Sequence, residues 1–463
     1  MNGMKQLPTR RDGVETRARL LRIARETFEE KGYHRTSIAE ICRRASVANG
    51  TFYRYFDGKD EVFLHLAEQL AEGLELAVSE ALRGVSGTYD RIHRTLAAFY
   101  DYVGRHRALY QIFREAEFVR LELPLRTYHR VARRLEEHLF GAGGGSHGGS
   151  HPVVPDIARS AVSFALIGCA SMLAAKYIIW EERPVPAEVI DSVADFLAYG
   201  LSAETPAPPL SRQALDFIGA AAGLNGAAVV VDDGFDLRAA GLTEGQRTRR
   251  KLLQAAEDCF AEMGFFKAQI ADITRRAGVA QGTFYVHFPG KIDILRELVQ
   301  DINRRLRSAI RRGLAEAGLG ADADRRHVEI VGLASFLHWL RRREGIYRIV
   351  REAEFVDEEV ARWYYERLSV GYTAWLRTAM IAGQIRPLPE QTLAYALLGI
   401  GHISGVRWVL WPSEEAAQRP ADLPPANLPP ADLRPTVEAL AALILHGVEG
   451  VRAGAFRLFD DAA

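Results

Sequence analysis

Apolar residues recur every three or four positions along most of the chain, as at Leu20, Leu21, Ala24 and Phe28, and again at Ile38, Ile41, Cys42 and Ala45. That spacing lines one face of an α-helix. No convincing period-two alternation appears outside a central linker, so the chain is expected to be all-α. The early pattern predicts a helix from about Val14 to Lys31, stopped by Gly32, a residue suited to the left-handed backbone of a helix end. Thr36 and Ser37 are candidate caps for a short helix through Ala45. SVANG then predicts a turn of about three residues, and NGTFYRYF a second short helix. Two short helices joined so tightly make a helix-turn-helix. Val47 and Phe56 are placed to bury against the first helix, which leaves Asn49, Thr51, Tyr53 and Arg54 facing outward, and a further helix opens at Asp57 and Lys59.

This pattern occurs twice. GTFYRYFDGK, Gly50 to Lys59, returns as GTFYVHFPGK, Gly282 to Lys291; over Arg17–Lys59 and Arg249–Lys291, at an offset of 232, 22 of 43 residues are identical without a gap. YQIFREAEFV from Tyr110 matches YRIVREAEFV from Tyr347, and ALIGCASMLAAKYIIW from Ala165 matches ALLGIGHISGVRWVLW from Ala396. Three blocks in the same order make each half a complete helical domain of about 200 residues. The expected divisions are a helix-turn-helix module at 9–62, a helical bundle at 63–201, a linker at 202–243 carrying one short helix and a short strand, a second module at 244–294 and a second bundle at 295–455. The histidine-bearing loop GAGGGSHGGSHP is expected to be a flexible, solvated connection, and PADLPPANLPPADLRP a polyproline-like spacer.

Composition narrows the class. At 463 residues, 48% hydrophobic and 25% charged, the chain has the make-up of a multidomain globular protein. Cys42, Cys169 and Cys259 are scattered, which argues against a disulfide framework or zinc site and fits a reducing cytosol. The first residues lack the apolar run of a signal peptide. Ser160–Trp180 is the one membrane candidate, and its charge-free stretch between Arg159 and Lys176 is short of the roughly 18–20 residues of a span, so a buried helix is expected. No nucleotide loop, metal spacing or nucleophile motif points to an enzyme or a cofactor.

Basic and acidic residues total 59 each, so charge speaks only locally. From Pro8 to Lys59 there are twelve Lys and Arg against seven Asp and Glu, and from Gln246 to Lys291 eight against four. Each half thus places a basic excess in its helix-turn-helix, the footprint expected where phosphates are met. Gly32, Thr36, Ile38, Ile41, Ala45, Val47, Gly50, Thr51, Tyr53, Phe56 and Lys59 together resemble the N-terminal signature of TetR-family transcriptional regulators, and the pattern recurs from Gly264 to Lys291. Such regulators are normally homodimers that give one recognition helix per subunit; here one chain supplies both, as an intramolecular pseudo-dimer.

The resemblance implies that Thr51, Tyr53 and Lys59 hold operator phosphates, with Thr36 and Arg17 in support. Asn49 and Arg54 would read bases from a helix that also carries Gly50 and Tyr55, since Asn suits adenine and Arg suits guanine. In the second half the equivalents are Arg249, Gly282, Thr283, Tyr285 and Lys291, with Gln281 at the Asn49 position and His287 at that of Tyr55. Val286 replaces Arg54, and Ala268 replaces Thr36, with the loss of a cap worth ~1 kcal/mol and of a phosphate contact for which Lys267 compensates. These losses motivate the alternative of a small-molecule sensor whose DNA modules have decayed.

The resemblance also implies an effector cavity in each bundle, for a hydrophobic or acyl-type molecule such as an acyl-CoA, in a cytoplasmic repressor. Tyr110, Phe113, Arg114 and Glu117, with Tyr347, Arg351 and Glu354, form polar and aromatic patches that fit either a cavity wall or an ion pair within the bundle. His402 and Arg407 stand where the first half has Ser171 and Lys176, for a cavity or an interface. The third block and the helices Ala187–Leu201 and Arg434–Val451 correspond to the dimer's four-helix interface. A linker of about 40 residues reaches roughly 130 Å when extended, well beyond the ~34–36 Å between half-sites.

Overall fold

The computed structural model describes residues 11–141, 154–203, 207–223, 241–411, 432–454 and 457–458. The first half comprises helices α1 (Arg11–Arg35), α2 (Ile38–Arg44), α3 (Asn49–Tyr55), α4 (Lys59–Ala81), α5 (Thr88–Arg105), α6 (Arg107–Val119), α7 (Glu122–Phe140), α8 (Asp156–Ala174) and α9 (Ala187–Tyr199). Then come α10 (Arg212–Ala222) and the second half: α11 (Glu244–Met263), α12 (Ile270–Ala277), α13 (Gln281–His287), α14 (Lys291–Glu316), α15 (Arg325–Arg342), α16 (Glu344–Val356), α17 (Glu358–Ile381), α18 (Glu390–Gly405) and α19 (Arg434–Ala453). Both α8 and α18 run into a π-helical turn, at Ala175–Trp180 and Val406–Leu410. Among the described residues there is no strand, only an isolated antiparallel bridge between Ser202 and Ile385.

The chain divides into two compact units. The first is Met1–Ser86, Arg94–Arg134 and Ala174–Val185; the second is Gly87–His93, Leu135–Leu173 and Pro186–Ala463. In the first unit α6 lies against both α1 and α4. Leu20, Ala24 and Phe28 of α1 are buried, and Phe28 meets Phe63 edge-on at 5.0 Å. Phe52 and Phe56 are fully buried, and each such side chain contributes roughly 2–3 kcal/mol by leaving water. Gly32 interrupts the run Arg11–Arg35 as the sequence predicts: its φ of 72° and ψ of 174° are not helical, so the long helix stops there and a short separate turn follows to Arg35. Ser37 caps α2, its hydroxyl accepting the Glu40 N–H at 3.2 Å.

The second unit joins the second half to the C-terminal helices of the first. Here α9 packs on α19 and α18, and α8 crosses α18 at a glycine pair so close that a Cβ on Gly168 would lie 2.3 Å from the Gly399 carbonyl oxygen. A second pair behaves likewise. Gly200 (φ 74°) and Gly447 (φ 66°) would place a Cβ 2.4 Å from His446 N and 2.3 Å from Ala198 O. In both pairs a residue faces the chain around its own counterpart in the repeat, as when a surface meets its two-fold image.

The linker contains a short helix, as the sequence predicts, and that helix is docked on the second half. This helix, α10, buries Ala214, Phe217, Ile218 and Ala221 and packs on α14, α15 and α19. Arg341 donates to the carbonyls of Ala221 (2.8 Å) and Gly223 (2.9 Å), and His338 Nδ1 lies 3.1 Å from the Ala221 carbonyl. A cation there satisfies the orphan carbonyls of a helix C-terminus. The expected linker strand, the loop at 142–153 and most of the proline-rich stretch lie outside the described residues. Asp156–Trp180 and Glu390–Leu410 are both long and apolar enough to cross a membrane, and they are 94% and 61% buried inside the fold. The second stretch was not singled out by the sequence.

Candidate functional site

In each half the helix pair that carries the repeated decapeptide is held on one side and open on the other. The connecting turn needs one left-handed residue, supplied by Ser46 (φ 54°) in the first module and Gly278 (φ 68°) in the second. It closes through the Val47 N–H to the Cys42 carbonyl and the Val279 N–H to the Thr274 carbonyl, each 3.0 Å. Arg44 grips Glu30 through two bonds of 2.8 Å, and its counterpart Arg276 grips Glu262 at 2.6 Å, so α2 is pinned to α1 and α12 to α11. On α3 and α13 the phenylalanines face inward. Asn49, Tyr53 and Arg54 are exposed, Thr51 and Tyr55 partly so. Gln281, Tyr285 and Val286 are exposed in the same way, with Thr283 and His287 half-buried. The N-caps Ala48 and Ala280 provide no side-chain bond, and a Cβ on Gly50 or Gly282 would meet nothing within 4 Å. No internal contact requires glycine there. Each helix start is therefore left open to an approaching backbone or phosphate.

Several expected phosphate holders are instead committed inside the modules. Thr36 is buried and donates its hydroxyl to the Gly32 carbonyl at 2.8 Å, and the cap is Ser37. Ala268 in place of Thr36 consequently removes no cap; at that end the Gln269 N–H bonds the Asp272 carboxylate at 3.0 Å. The Lys59 ammonium donates to the carbonyls of Tyr33 (2.7 Å) and Thr36 (2.9 Å) from above the Tyr33 ring, and Lys291 treats Phe265 (2.7 Å) and Ala268 (2.8 Å) identically. Burial lowers the pKa of both lysines. Arg249 donates to the His287 carbonyl at 2.6 Å, pairs with Glu297 and stacks 4.3 Å over Phe288. Arg17 lies 5.1 Å over Phe56, and His65 occupies the place of Glu297. Lys267 is exposed.

The REAEFV block shows a residue the sequence reading passed over. The first of its two acids, not the second, is buried: both oxygens of Glu115 accept the Tyr33 N–H at 3.0 and 3.1 Å, and Glu352 accepts the Phe265 N–H at 2.8 Å. In each half the residue after the helix-ending glycine is clamped from both sides, its N–H by the glutamate of α6 or α16 and its C=O by the lysine of α4 or α14. Gly32 and Gly264 (φ 80°) admit this, since a Cβ would stand 3.4 and 3.0 Å from those carboxylates. Burial pushes the Glu115 carboxyl up to about 7, against the opposing Tyr33 N–H, Lys59 and Arg35. The signal was present in the periodicity, where Glu115 shares a face with buried Ile112 and Ala116.

A cavity of about 340 Å³ opens in the second half, lined by α14, α15, α17 and α18 and by Tyr347 of α16. It brings together two of the residues expected there: the Tyr347 hydroxyl lies 2.6 Å from His402 Nδ1, and Tyr365 stands 3.3 Å from the same atom. Arg351 and Glu354 do not line it. Arg407 instead packs over Phe164, at 5.4 Å. In the first half Tyr110 and Phe113 are buried in α6, with Arg114 and Glu117 half-buried and the Arg114 guanidinium 6.0 Å over Tyr110. Among the described residues no group of three or more His, Cys, Asp or Glu is disposed to hold a metal ion.

The model of the bacterial regulatory proteins of the tetR family matches the chain at residues 20–66 and 252–298. The chain is similar to the HTH-type transcriptional activator FasR of Mycolicibacterium smegmatis, 30% identical over 105 residues that make up 23% of this chain and 48% of FasR. It is also similar to the uncharacterized HTH-type transcriptional regulator YdgC of Bacillus subtilis, 35% identical over 80 residues, 17% of this chain and 41% of YdgC. The chain thus spans about half the length of these curated relatives. Among solved structures, the fatty acid degradation regulator FadR from Bacillus halodurans aligns at 20% identity over 35% of this chain and 84% of that one, with a TM-score of 0.32.

Proposed function

The chain belongs to the tetR family of bacterial regulatory proteins, with the family's N-terminal module present twice, and from that premise we propose that it is a DNA-binding transcriptional regulator acting as a single-chain pseudo-dimer. The carrying observation is the doubled recognition helix, which buries its phenylalanines and leaves Asn49, Thr51, Tyr53 and Arg54, or Gln281, Thr283 and Tyr285, toward solvent. Hydroxyls there suit phosphate and the Asn, Gln and Arg groups suit base edges. The glycine contacts between counterpart helices of the two halves support the pseudo-dimer. Bound to operator DNA in the cytoplasm, the protein represses by occupying it.

A hydrophobic or acyl-type effector in the aromatic cavity releases the DNA by favouring one conformation of the protein over the other. Helix α16 favours this coupling, because it carries both Tyr347 at the cavity and Glu352 on the clamp of the second module. The name of FasR favours a second reading, that the bound protein activates transcription. Footprinting on the DNA upstream of its own gene, with a reporter in parallel, separates the cases: a protected site with reporter expression raised on deletion of the protein supports repression, and lowered expression supports activation. A DNA binder also loses affinity steeply between low and moderate salt. Absence of any protected site, or a flat salt response, overturns both readings in favour of a sensor without DNA binding.

A further inference from the structure

The cavity of the second half contains a group that its own fold does not call for. Glu329 of α15 is buried in the cavity wall, where its Oε1 meets only the Tyr372 hydroxyl, at 3.4 Å. That is long for an O–H···O bond, and among the described residues no other group donates to it. A buried carboxylate so poorly satisfied costs free energy that an aliphatic side chain would not.

The repeat shows what the fold itself accepts at these places. At the offset of 237 residues that aligns Tyr110 with Tyr347, Glu329 falls on Ile92 and Tyr372 on Leu135. Both are buried aliphatic residues. One copy of the fold therefore packs an apolar pair where the other keeps an acid and a hydroxyl against open space.

A second pair of polar groups lines the same cavity. Arg307 and Arg311, one turn apart on α14, are half-buried and exposed, and among the described residues neither has an ion pair or hydrogen bond. At the offset of 232 their counterparts are Glu75 and Ser79. In the first half Glu75 is itself taken up by Arg130 (3.1 Å) and Arg134 (2.9 Å). The lining of the second cavity thus combines two guanidiniums that reach solvent, a buried carboxyl with a half-buried phenol, and apolar and aromatic residues that include Phe336, Tyr364 and Trp375. Its 340 Å³ holds roughly a dozen water-sized groups of ~30 Å³ each.

We propose that the second-half cavity takes a medium-length acyl-type anion bearing a hydroxyl on its chain, the anionic head toward Arg307 and Arg311 and the hydroxyl on Glu329. This rests on the reading of the cavity as the effector site. A bare saturated chain would leave Glu329 unsatisfied, whereas a donor hydroxyl completes it, and sites built to bond a hydroxyl reject analogues lacking one. A cationic chain would satisfy Glu329 but meet the two guanidiniums. The first half, with Ile92 and Leu135, has no such preference.

Titration calorimetry of the full chain with decanoate, 10-hydroxydecanoate and decylammonium tests the assignment. The hydroxy acid is expected to bind about tenfold or more tightly than decanoate. Glu329→Ile, or Glu329→Ile with Tyr372→Leu, should erase that preference while raising the melting temperature, and Arg307→Ala with Arg311→Ala should weaken both acids alike. Equal binding of the two acids, a preference that survives Glu329→Ile, tightest binding of decylammonium, or a lower melting temperature for Glu329→Ile overturns the proposal. The regulatory reading fails separately. If the wild-type protein protects its operator but binds none of the probes, the ligand class is wrong and the regulator stands; if the hydroxyl preference holds but no DNA is protected, the reverse is true.

Discussion

A single left-handed residue decides how much strain each DNA module carries. Ser46 (φ 54°) and Gly278 (φ 68°) occupy the same turn position, and a side chain there costs roughly 1 kcal/mol that glycine does not. Ser46→Gly is therefore expected to stabilise the first module by up to ~1 kcal/mol and Gly278→Ala to destabilise the second by a similar amount, as read by hydrogen-exchange protection of α2–α3 and α12–α13; opposite signs would show that Ser46 has a compensating bond. Glu115 offers a pH test. Its folded pKa, pushed up to about 7 by burial, lies above the 4.5 of a solvated glutamate, so the folded state binds the proton more tightly. Its contribution to stability is full below pH 4.5 and is lost as pH rises through 7. Glu115→Gln keeps an acceptor for the Tyr33 N–H without the charge, and should exceed the wild type by on the order of 2 kcal/mol at pH 8, the difference vanishing near pH 4.5. Urea midpoints of both proteins across that range check it, and a pH-independent difference would refute the buried charge.

At the scale of elements, each recognition helix carries its chemistry on one face. Replacing Arg54 by Val, the residue of the second half, is expected to cost ~1–3 kcal/mol at one half-site and to relax its base preference, while Tyr53→Phe should weaken binding to all sequences alike; a binding-site selection with each variant distinguishes the two effects. Much of this was legible beforehand, because period, turn residues and basic excess are local properties of a short segment. The helix-turn-helix bounds, the inward phenylalanines and the outward Asn49 and Arg54 all follow from spacing. What escaped the sequence were partners distant along the chain. Two of the three Lys59 N–H groups go to the carbonyls of Tyr33 and Thr36, and Glu115 finds Tyr33 across 82 residues. The docking of α10 was hidden for the same reason: the carbonyls of a short linker helix gain their value from Arg341, 120 residues away.

For the whole molecule, the fused repeat frees each half from being a copy of the other, yet leaves the contact between counterpart helices under the geometry of a symmetric dimer. The Gly168–Gly399 crossing sets that limit. A Cβ on Gly168 would lie 2.3 Å from backbone that cannot rotate away, so Gly168→Ala should lose stability by more than the ~1 kcal/mol that alanine gains in a helix, whereas Gly104→Ala, with nothing within 4 Å, should only gain; thermal melting of both checks the contrast. The recognition helices are under no such constraint, and they have diverged at three places, Asn49/Gln281, Arg54/Val286 and Tyr55/His287. If the chain binds DNA as the proposed pseudo-dimer, two unlike readers select unlike half-sites, which identical subunits cannot do. Selection from random DNA should therefore return an imperfect palindrome for the wild type. Changing Asn49→Gln, Arg54→Val and Tyr55→His together makes the two helices identical in sequence, and should return a symmetric site. A strictly symmetric site for the wild type, or an unchanged asymmetric one for the triple variant, would show that the divergence lies outside the readout.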